Sequence, residues 1–395
     1  MTDFARTRAA FHLPQGVTYL DGNSLGPMPV AANDRVARMM QDEWSQMLIT
    51  GWNKAGWYVQ PRTVGDRIAR LIGAGAGEVV MGDTLSIKVF QALSAALALR
   101  PDRKVILSDS GNFPSDLYVA EGIARALGAE LRVVAPEEVE TAIGRDLAVL
   151  MLTEVDYRTG RRHDMAALTA RAHDAGALAL WDLAHSAGAV DVDLTGADAD
   201  FAVGCTYKYL NGGPGAPAFI WTHPRHADAA QPILQGWMGH AAPFAFDQDY
   251  RPAPGIERMR VGTPPVIAMT ALDAALDVWD DVAMPDLRER SIQLTQAFIE
   301  GVEKACPDLA LNSPRDPQRR GSQVGFRHPQ GYAVMQALIA DGVIGDFRAP
   351  DVLRFGFAPL YNNMDDVSRA IDVLARILRD ASWDDAKYRR KAAVT

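Results

Sequence analysis

The sequence has little cysteine and no long apolar run. Its 395 residues include only two cysteines, Cys205 and Cys306. Neither belongs to a CxxC pair, so a disulfide framework and a structural zinc site are both disfavoured. No apolar run is long enough to cross a bilayer, and the first residues carry no apolar core of the signal-peptide type. These absences predict a cytoplasmic protein that holds no metal and does not enter a membrane.

An excess of basic residues is also missing. Lysine and arginine number 40 against 49 acidic residues, which gives a net charge of −9 and a pI near 5.4. This balance argues against a general nucleic-acid-binding protein, although it is compatible with a local cationic pocket for a small anion. With 48% hydrophobic and 23% charged residues, the composition is that of a globular protein. The length favours a large domain with a smaller one.

Short apolar stretches alternate with helix-favouring segments between about residues 62 and 220. Continuous apolar strands separated by helices are typical of a mostly parallel sheet that is covered on both faces. The pattern predicts strands at 78–81, 104–108, 131–134, 147–152, 178–181, 201–203 and 218–221. Helices are predicted at 67–72, 89–99, 116–127, 137–143 and, behind an N-capping Asp164, up to Gly176.

Beyond residue 264 the pattern changes to helices followed by short strands. Helices are predicted at 266–278, 287–306 and 365–378, with strands at 323–326 and 352–355. The fold class expected is therefore α/β, with a large domain at 61–265 and a smaller α+β domain at 266–395. An N-terminal segment at 1–60 is expected to pack with the smaller domain.

Lys208 stands where a predicted strand gives way to a glycine-rich turn, in the segment TYKYLNGGPG at 206–215. An unpaired buried ammonium is costly, and covalent attachment to an aldehyde removes that cost. Burial also lowers the pKa of a lysine, which suits Schiff-base and proton-transfer chemistry. The alternative is a lysine exposed at a strand exit, which is where most lysines lie.

Asp182 follows the apolar strand at 178–181, in the segment WDLAH. Ligands bind at the carboxyl ends of strands in open α/β sheets. A pyridoxal cofactor needs a carboxylate beside its ring nitrogen, because the protonated ring is the electron sink. Asp182 could equally be a turn or helix-capping residue, and His185 could be a core histidine with its hydrogen bonds satisfied.

Two further segments open predicted helices. Phe113 to Asp116 could place an aromatic ring against a planar ligand, although proline and serine also suit any helix start. Asp83 to Ser86 could bind an anion through amides and hydroxyls, or could be a plain helix cap. The glycine-rich Gly73 to Gly77 follows a helix rather than a strand, so we interpret it as a loop and not a dinucleotide fingerprint.

Together these segments resemble the kynureninase family, whose members are fold-type I pyridoxal-phosphate enzymes. The resemblance covers most of the chain, and the order and spacing of its blocks are specific. The blocks are YLDGNSLG at 19–26, FPSD at 113–116, WDLAH at 181–185, YKYLN at 207–211, GWMGH at 236–240 and LRFGFAPLYN at 353–362.

The resemblance implies individual roles around pyridoxal 5′-phosphate. Lys208 would hold the cofactor and move protons, Tyr207 would contact the phosphate, and Asp182 would pair with the pyridine nitrogen. The place of Tyr207 beside Lys208 also makes it the expected proton donor at Cβ. Trp237 and Thr263 would reach the phosphate from the partner subunit of a homodimer. The remaining cofactor contacts implied are Leu85, Ser86, Phe113, Asp116, Thr153, His185 and Tyr207.

The substrate side is implied in the same way. Arg354 would receive the substrate carboxylate, since guanidinium forms a planar bidentate fork, whereas alone it would be read as one half of a surface ion pair. Trp52 and Asn23 would also contact substrate. Trp52 and Thr263 resemble bacterial members, which implies a preference for kynurenine over its 3-hydroxy form. Lys88 departs from the asparagine more usual at its position.

The activity implied is hydrolysis of the Cβ–Cγ bond of L-kynurenine to anthranilate and L-alanine, in tryptophan catabolism. One rival is another pyridoxal-phosphate enzyme of the same fold, such as an aminotransferase or a cysteine desulfurase; a desulfurase needs a reactive thiol on a mobile loop. Another is a catalytically silent binding protein on the same scaffold. The presence of Lys208, Asp182 and Arg354 argues against the silent protein.

Overall fold

A seven-stranded sheet forms the centre of the protein in a computed structural model that describes residues 1–390. Its strands are β1 (Val79–Met81), β2 (Val105–Asp109), β3 (Glu130–Val134), β4 (Leu147–Thr153), β5 (Leu178–Asp182), β6 (Phe201–Gly204) and β7 (Phe219–Thr222). Their order across the sheet is β1-β7-β6-β5-β4-β2-β3. The five strands β2 to β6 run parallel, and β7 runs antiparallel to both of its neighbours. The predicted α/β fold with a mostly parallel sheet is confirmed.

Apolar clusters cover both faces of this sheet, because successive residues of a strand point to opposite faces. Leu107 and Trp181 belong to the cluster on one face, whereas their neighbours Ile106 and Leu180 belong to the cluster on the other. A strand that is buried on both faces must be apolar at every position. Polar side chains are therefore free to appear only where the strands end.

The chain contains nine longer helices within the described residues, four of which follow the last strand of the large sheet. They are α1 (Val30–Arg38), α2 (Gln60–Ala69), α3 (Leu85–Ala98), α4 (Pro114–Leu127), α5 (Met165–Asp174), α6 (Val266–Leu276), α7 (Met284–Ala305), α8 (Gly331–Ala340) and α9 (Met364–Arg379). Shorter helices lie at Phe4–Ala9, Ser45–Met47, Gly51–Lys54, Val139–Ala142 and Pro224–Ala227, and a π-helix at Met39–Trp44. Within residues 1–390, no helix combines the length and the apolar character that a membrane span requires.

The capping residues predicted at the start of α5 and at the end of α4 are confirmed. Asp164 caps α5 by accepting a hydrogen bond from the Ala167 amide at 3.0 Å, and Gly128 closes α4 in the left-handed conformation. The helix predicted at 89–99 begins four residues earlier, at Leu85. The helix predicted at 137–143 is a 3-10 turn followed by only one α-helical turn, Val139–Ala142.

A second sheet lies in the C-terminal part of the chain. Four antiparallel strands, β8 (Ala310–Leu311), β9 (Gln323–Arg327), β10 (Asp346–Arg348) and β11 (Val352–Gly356), are arranged in the order β10-β11-β9-β8. The N-terminal segment reaches this region, because Thr18–Tyr19 pairs in parallel with Val343–Ile344. The boundaries proposed at 60/61 and 265/266 remain predictions, and residues 391–395 of the smaller domain lie outside the described range.

Candidate active site

A cavity of about 250 Å³ opens at the carboxyl ends of the parallel strands. It is lined by Thr84, Leu85, Ser86, Phe113, Ser115, Asp116, Thr153, Tyr157, Asp182, Ala184, His185, Cys205, Tyr207, Lys208, Gly215 and Ala216. Nine of the predicted site residues are on this wall: Leu85, Ser86, Phe113, Asp116, Thr153, Asp182, His185, Tyr207 and Lys208. Strand order explains the gathering, because β2, β4, β5 and β6 lie side by side and end at one edge.

Lys208 presents its amine to this cavity from the turn that follows β6. The Nζ atom lies 3.0 Å from Nε2 of His185 and 5.9 Å from the centre of the Phe113 ring. Burial, followed by the charge of Lys208, lowers the pKa of His185 well below its ordinary value, so the imidazole is neutral. Its Nδ1 is buried without a hydrogen-bond partner in the described chain. A neutral histidine beside a primary amine can accept a hydrogen bond from it and so orient the amine.

Two buried carboxylates face each other at the floor of the cavity. Asp182, the last residue of β5, accepts a hydrogen bond from the Ala184 amide at 2.8 Å. Asp116 lies in the first turn of α4, and both of its carboxylate oxygens are buried without a donor in the described residues. Burial raises the pKa of both groups, and the nearby Asp182 raises that of Asp116 further. The pair therefore favours a bound proton or a cationic N–H group between them.

Aromatic rings form one side of the cavity. Phe113 precedes α4 and packs edge to face against Tyr157, with ring centres 5.2 Å apart. The Tyr207 ring centre lies 5.8 Å from the Lys208 amine. Cys205 and burial raise the pKa of Tyr207 above its ordinary value, so the phenol keeps its proton at neutral pH. Tyr207 is thus suited to donate a proton next to Lys208.

Two helix N-termini also meet in the wall of the cavity. The Ser86 hydroxyl in α3 lies 2.8 Å from the Ser115 hydroxyl in α4, and Thr84 is the N-cap residue of α3. Free backbone amides and hydroxyls at helix N-termini form an anion site. The cavity thus offers an amine, a carboxylate pair and an anion site. These groups fit the aldehyde, ring nitrogen and phosphate of pyridoxal phosphate.

Arg354 lies behind this wall and is 1% exposed. In β11, its guanidinium pairs with Asp346 through Nε at 2.7 Å and through a second close contact, and it donates to the Ser24 hydroxyl at 2.9 Å. It also donates to the backbone carbonyl of Tyr157, which lines the cavity. Burial opposes its charge, but Asp346 keeps the pKa of Arg354 above its ordinary value. Arg354 is therefore a buried, ion-paired arginine at the edge of the site.

The other predicted site residues lie outside the lining of this cavity. Asn23 is fully buried and both polar atoms of its side chain have no partner in the described residues. Trp52 packs edge to face on Trp57, with ring centres 6.0 Å apart. Trp237 is 40% exposed, and Thr263 is exposed. The described chain alone therefore does not bring Trp52, Trp237 or Thr263 to the amine of Lys208.

Several wall residues were not anticipated from the sequence. Tyr157, Ser115 and Cys205 line the cavity, and Asp346 pairs with Arg354. Tyr157 follows the carboxyl end of β4, which is a position where a ligand contact could have been expected. Asp346 carried no such signal, because its partner comes from a neighbouring strand of the second sheet.

Known proteins resemble the chain closely in sequence. The model of the "Kynureninase C-terminal domain" family matches residues 287–374. The kynureninase of Pseudomonas fluorescens is 50% identical over 400 residues, which cover 99% of this chain and 96% of that protein. The chain belongs to the kynureninase family. The kynureninase of Burkholderia pseudomallei (strain 1106a) matches with the same identity and coverage.

Solved structures of other enzymes share the fold of this kynureninase-family chain. The apo cysteine desulfurase of Thermococcus onnurineus NA1 aligns with a TM-score of 0.80 and 18% identity, over 96% of this chain and 99% of that one. A C-DES variant with glycine covalently linked to its PLP cofactor aligns with a TM-score of 0.80 and 16% identity, over 95% and 99%. At these identities the likeness establishes the fold alone.

Proposed function

We propose that this protein hydrolyses the Cβ–Cγ bond of L-kynurenine, giving anthranilate and L-alanine, with pyridoxal phosphate bound through Lys208. Family membership at 50% identity over nearly the whole chain is the observation that carries the proposal. The cavity supports it, since Lys208, His185 and the carboxylate pair lie on one wall. This reaction belongs to tryptophan catabolism. Two buried, free cysteines, Cys205 and Cys306, suit the reducing cytoplasm that we propose as its location.

When bound, pyridoxal phosphate supplies an electron sink that stabilises negative charge on the carbons of the substrate. Asp182 and Asp116 would hold the proton that the ring nitrogen needs, since among the described residues Lys208 is the cation whose charge acts on both carboxyl groups. Phe113 would contact the ring, and Ser86 with the N-terminus of α3 would bind the phosphate. Thr153 and Leu85 complete the cofactor contacts.

Lys208 and Tyr207 handle protons in this proposal. The Lys208 amine would remove the Cα proton of the substrate, and neutral His185, whose Nε2 lies 3.0 Å from Nζ, would orient the amine by accepting a hydrogen bond from it. Water then adds to the side-chain carbonyl of the substrate and the Cβ–Cγ bond breaks. Tyr207 gives its proton to Cβ, because its pKa is raised and the phenol is protonated at neutral pH.

The residues proposed to contact the substrate lie outside the lining of the cavity. We assign the substrate carboxylate to Arg354, which reaches the cavity wall through its bond to the Tyr157 carbonyl. Trp52 and Asn23 are proposed as further substrate contacts. A tryptophan at position 52 and a threonine at position 263 support kynurenine over 3-hydroxykynurenine as the better substrate.

A second copy of the chain is proposed to complete the site. Trp237 packs with Phe244 and Phe246 in an aromatic cluster, and the three are 40%, 61% and 76% exposed. Exposed clusters of this kind mark protein interfaces. Trp237 and Thr263 would then reach the cofactor phosphate of the partner in a homodimer.

The reaction is tested by adding L-kynurenine to the protein loaded with pyridoxal phosphate and following anthranilate fluorescence. The parent should form anthranilate and Lys208→Ala should form none. The comparison is then repeated with 3-hydroxykynurenine. A protein that retains the cofactor but forms no anthranilate would refute the assignment.

The shared site is tested by mixing two defective chains, Lys208→Ala and Trp237→Ala. If Trp237 serves the partner's site, a mixed dimer contains one intact site and one site with both defects. Activity should then return to about a quarter of the parental value, because half of randomly formed dimers are mixed. If Trp237 serves its own site, every site keeps one defect and no activity returns.

A cysteine desulfurase of the same fold is disfavoured by the position of the thiols. Cys205 lies in the cavity wall and Cys306 follows α7, and both are buried. Burial raises the pKa of both thiols, which reduces their reactivity. A persulfide carrier would need an exposed and acidic thiol.

A further inference from the structure

Lys88 is a fully buried lysine that the mechanism does not use. It lies in the first turn of α3, two residues after Ser86. Its Nζ donates to the Gln91 side chain and to the backbone carbonyl of Met259, both at 2.9 Å, and lies 3.4 Å from Asp83. The ammonium therefore donates two hydrogen bonds and forms one ion pair, with partners on two separate segments of the chain.

The two segments that Lys88 joins belong to the two proposed phosphate sites of a homodimer, the first to the site of its own chain and the second to that of the partner. Asp83 lies in the turn between β1 and α3, in the left-handed conformation, and is anchored by a hydrogen bond from Ala218 to its carbonyl. Met259 ends the 3-10 turn that leads into the segment 260–264. A small cavity separates Gly82 and Asp83 from that segment, which carries Thr263.

The charges around the ammonium are few. Asp83 is the counter-charge that faces it, and Arg260 is a second cation nearby. Arg260 is itself paired with Glu257 and donates to the Tyr58 carbonyl. Burial lowers the pKa of Lys88 to about 8, against the opposing effect of Asp83.

A buried charge is a poor way to stabilise a fold, since an apolar side chain of similar volume costs less. Such a charge can instead fix positions, because a lysine that donates two hydrogen bonds and faces one carboxylate holds its three partners in place. We propose that Lys88 is a positioning residue that fixes the turn at 83–86, which serves the phosphate site of its own chain, to the segment at 259–263, which serves the phosphate site of the partner. The inference rests on the proposed cofactor.

The test is a titration of the cofactor-free dimer with pyridoxal phosphate at pH 7 and pH 9. Lys88→Met keeps the buried stem and removes the ammonium, and Lys104→Met removes an exposed lysine as the control. We expect Lys88→Met to weaken affinity about tenfold at pH 7, the factor that 1.4 kcal/mol represents. The difference between parent and Lys88→Met should shrink at pH 9, because the parental ammonium loses its proton near pH 8.

A second variant keeps the proposal testable if Lys88→Met does not fold. Asp83→Asn removes the counter-charge, so the alkaline loss of affinity should move to lower pH. A merely structural role would leave that midpoint in place. Equal affinities and parallel pH profiles for the parent and Lys88→Met, or an unmoved midpoint in Asp83→Asn, would overturn the positioning role and leave the cofactor assignment intact. A parent that takes up no pyridoxal phosphate would overturn both.

Discussion

Replacing Asp116 with asparagine should stabilise the cofactor-free protein at neutral pH. Both oxygens of Asp116 are buried next to Asp182, with no donor in the described chain. Burial raises the pKa of Asp116 in the folded state. For a carboxyl group shifted in this direction, its contribution to stability is complete below the unfolded pKa and is lost as the pH rises through the folded pKa. Asparagine has no charge to bury, so this loss disappears.

The size of the effect follows from the burial. Leaving a buried polar group without a partner costs about 1–3 kcal/mol, and Asp116 is 1% exposed. The unfolding entropy is about 2.1 cal/mol/K per residue, which is roughly 0.8 kcal/mol/K for 395 residues. A gain of about 2 kcal/mol should therefore raise the melting temperature by roughly 2 °C.

The assay is thermal melting of the cofactor-free and cofactor-loaded protein between pH 5 and pH 8. Asp116→Asn should melt above the parent at pH 8 and approach it at pH 5, with the exposed Asp308→Asn as the control. In the cofactor-loaded protein the difference in melting temperature should disappear, because the ring nitrogen of the cofactor gives the Asp116 carboxylate of the parent the partner that it lacks. A cofactor-free variant that melts at or below the parent, with the same dependence on pH, would refute the reasoning.

Three further outcomes follow from single contacts. Tyr207→Phe should retain the cofactor but lose about 10² to 10⁴ in turnover of kynurenine, and full turnover would exclude Tyr207 as the proton donor. Gly356→Ala should lower the free energy of unfolding by about 1–3 kcal/mol in denaturant titration, because a Cβ there would overlap the Asn23 side chain, whose Cβ would lie 2.9 Å away. The hydrogen bond to Asp200 raises the pKa of His173, so their pair stabilises the fold below the unfolded histidine pKa and loses this effect as the pH rises through the folded value. His173→Gln should therefore cost up to about 1 kcal/mol in melts at pH 5.5 and less at pH 8.5, and an equal cost at both would contradict the assignment.

The parts of the fold that could be predicted from sequence are those where burial imposes an apolar pattern. Six of the seven strands of the large sheet are buried on both faces, so their positions follow from continuous apolar runs, whereas the edge strand β3 is partly exposed. Lys208 and Asp182 could be singled out because each is a charged residue where such a run ends. Phe113 and Asp116 needed the family resemblance, since any helix start could use the same residues.

Long-range partners account for what could not be predicted. The apolar pattern of α3 begins at Val89, whereas the helix begins at Leu85. The sequence does not mark the first turn as buried, because the polar Lys88 is buried there through a hydrogen bond to the carbonyl of Met259, 171 positions away. Arg354 alone would suggest an exposed ion pair, but its pair with Asp346 is buried. Neither partner is marked in the local sequence.

The order of strands in the large sheet has a consequence for folding. The cavity residues come from the ends of β2, β4, β5 and β6, which pair in parallel and are joined by long crossovers. Such pairings form slowly, because each loop must close before its contacts contribute. A chain that lacks any one pairing still carries Lys208 and Asp182 but not the cavity between them. Binding of the cofactor thus distinguishes a chain whose sheet is complete from a chain that has formed only its helices and local turns.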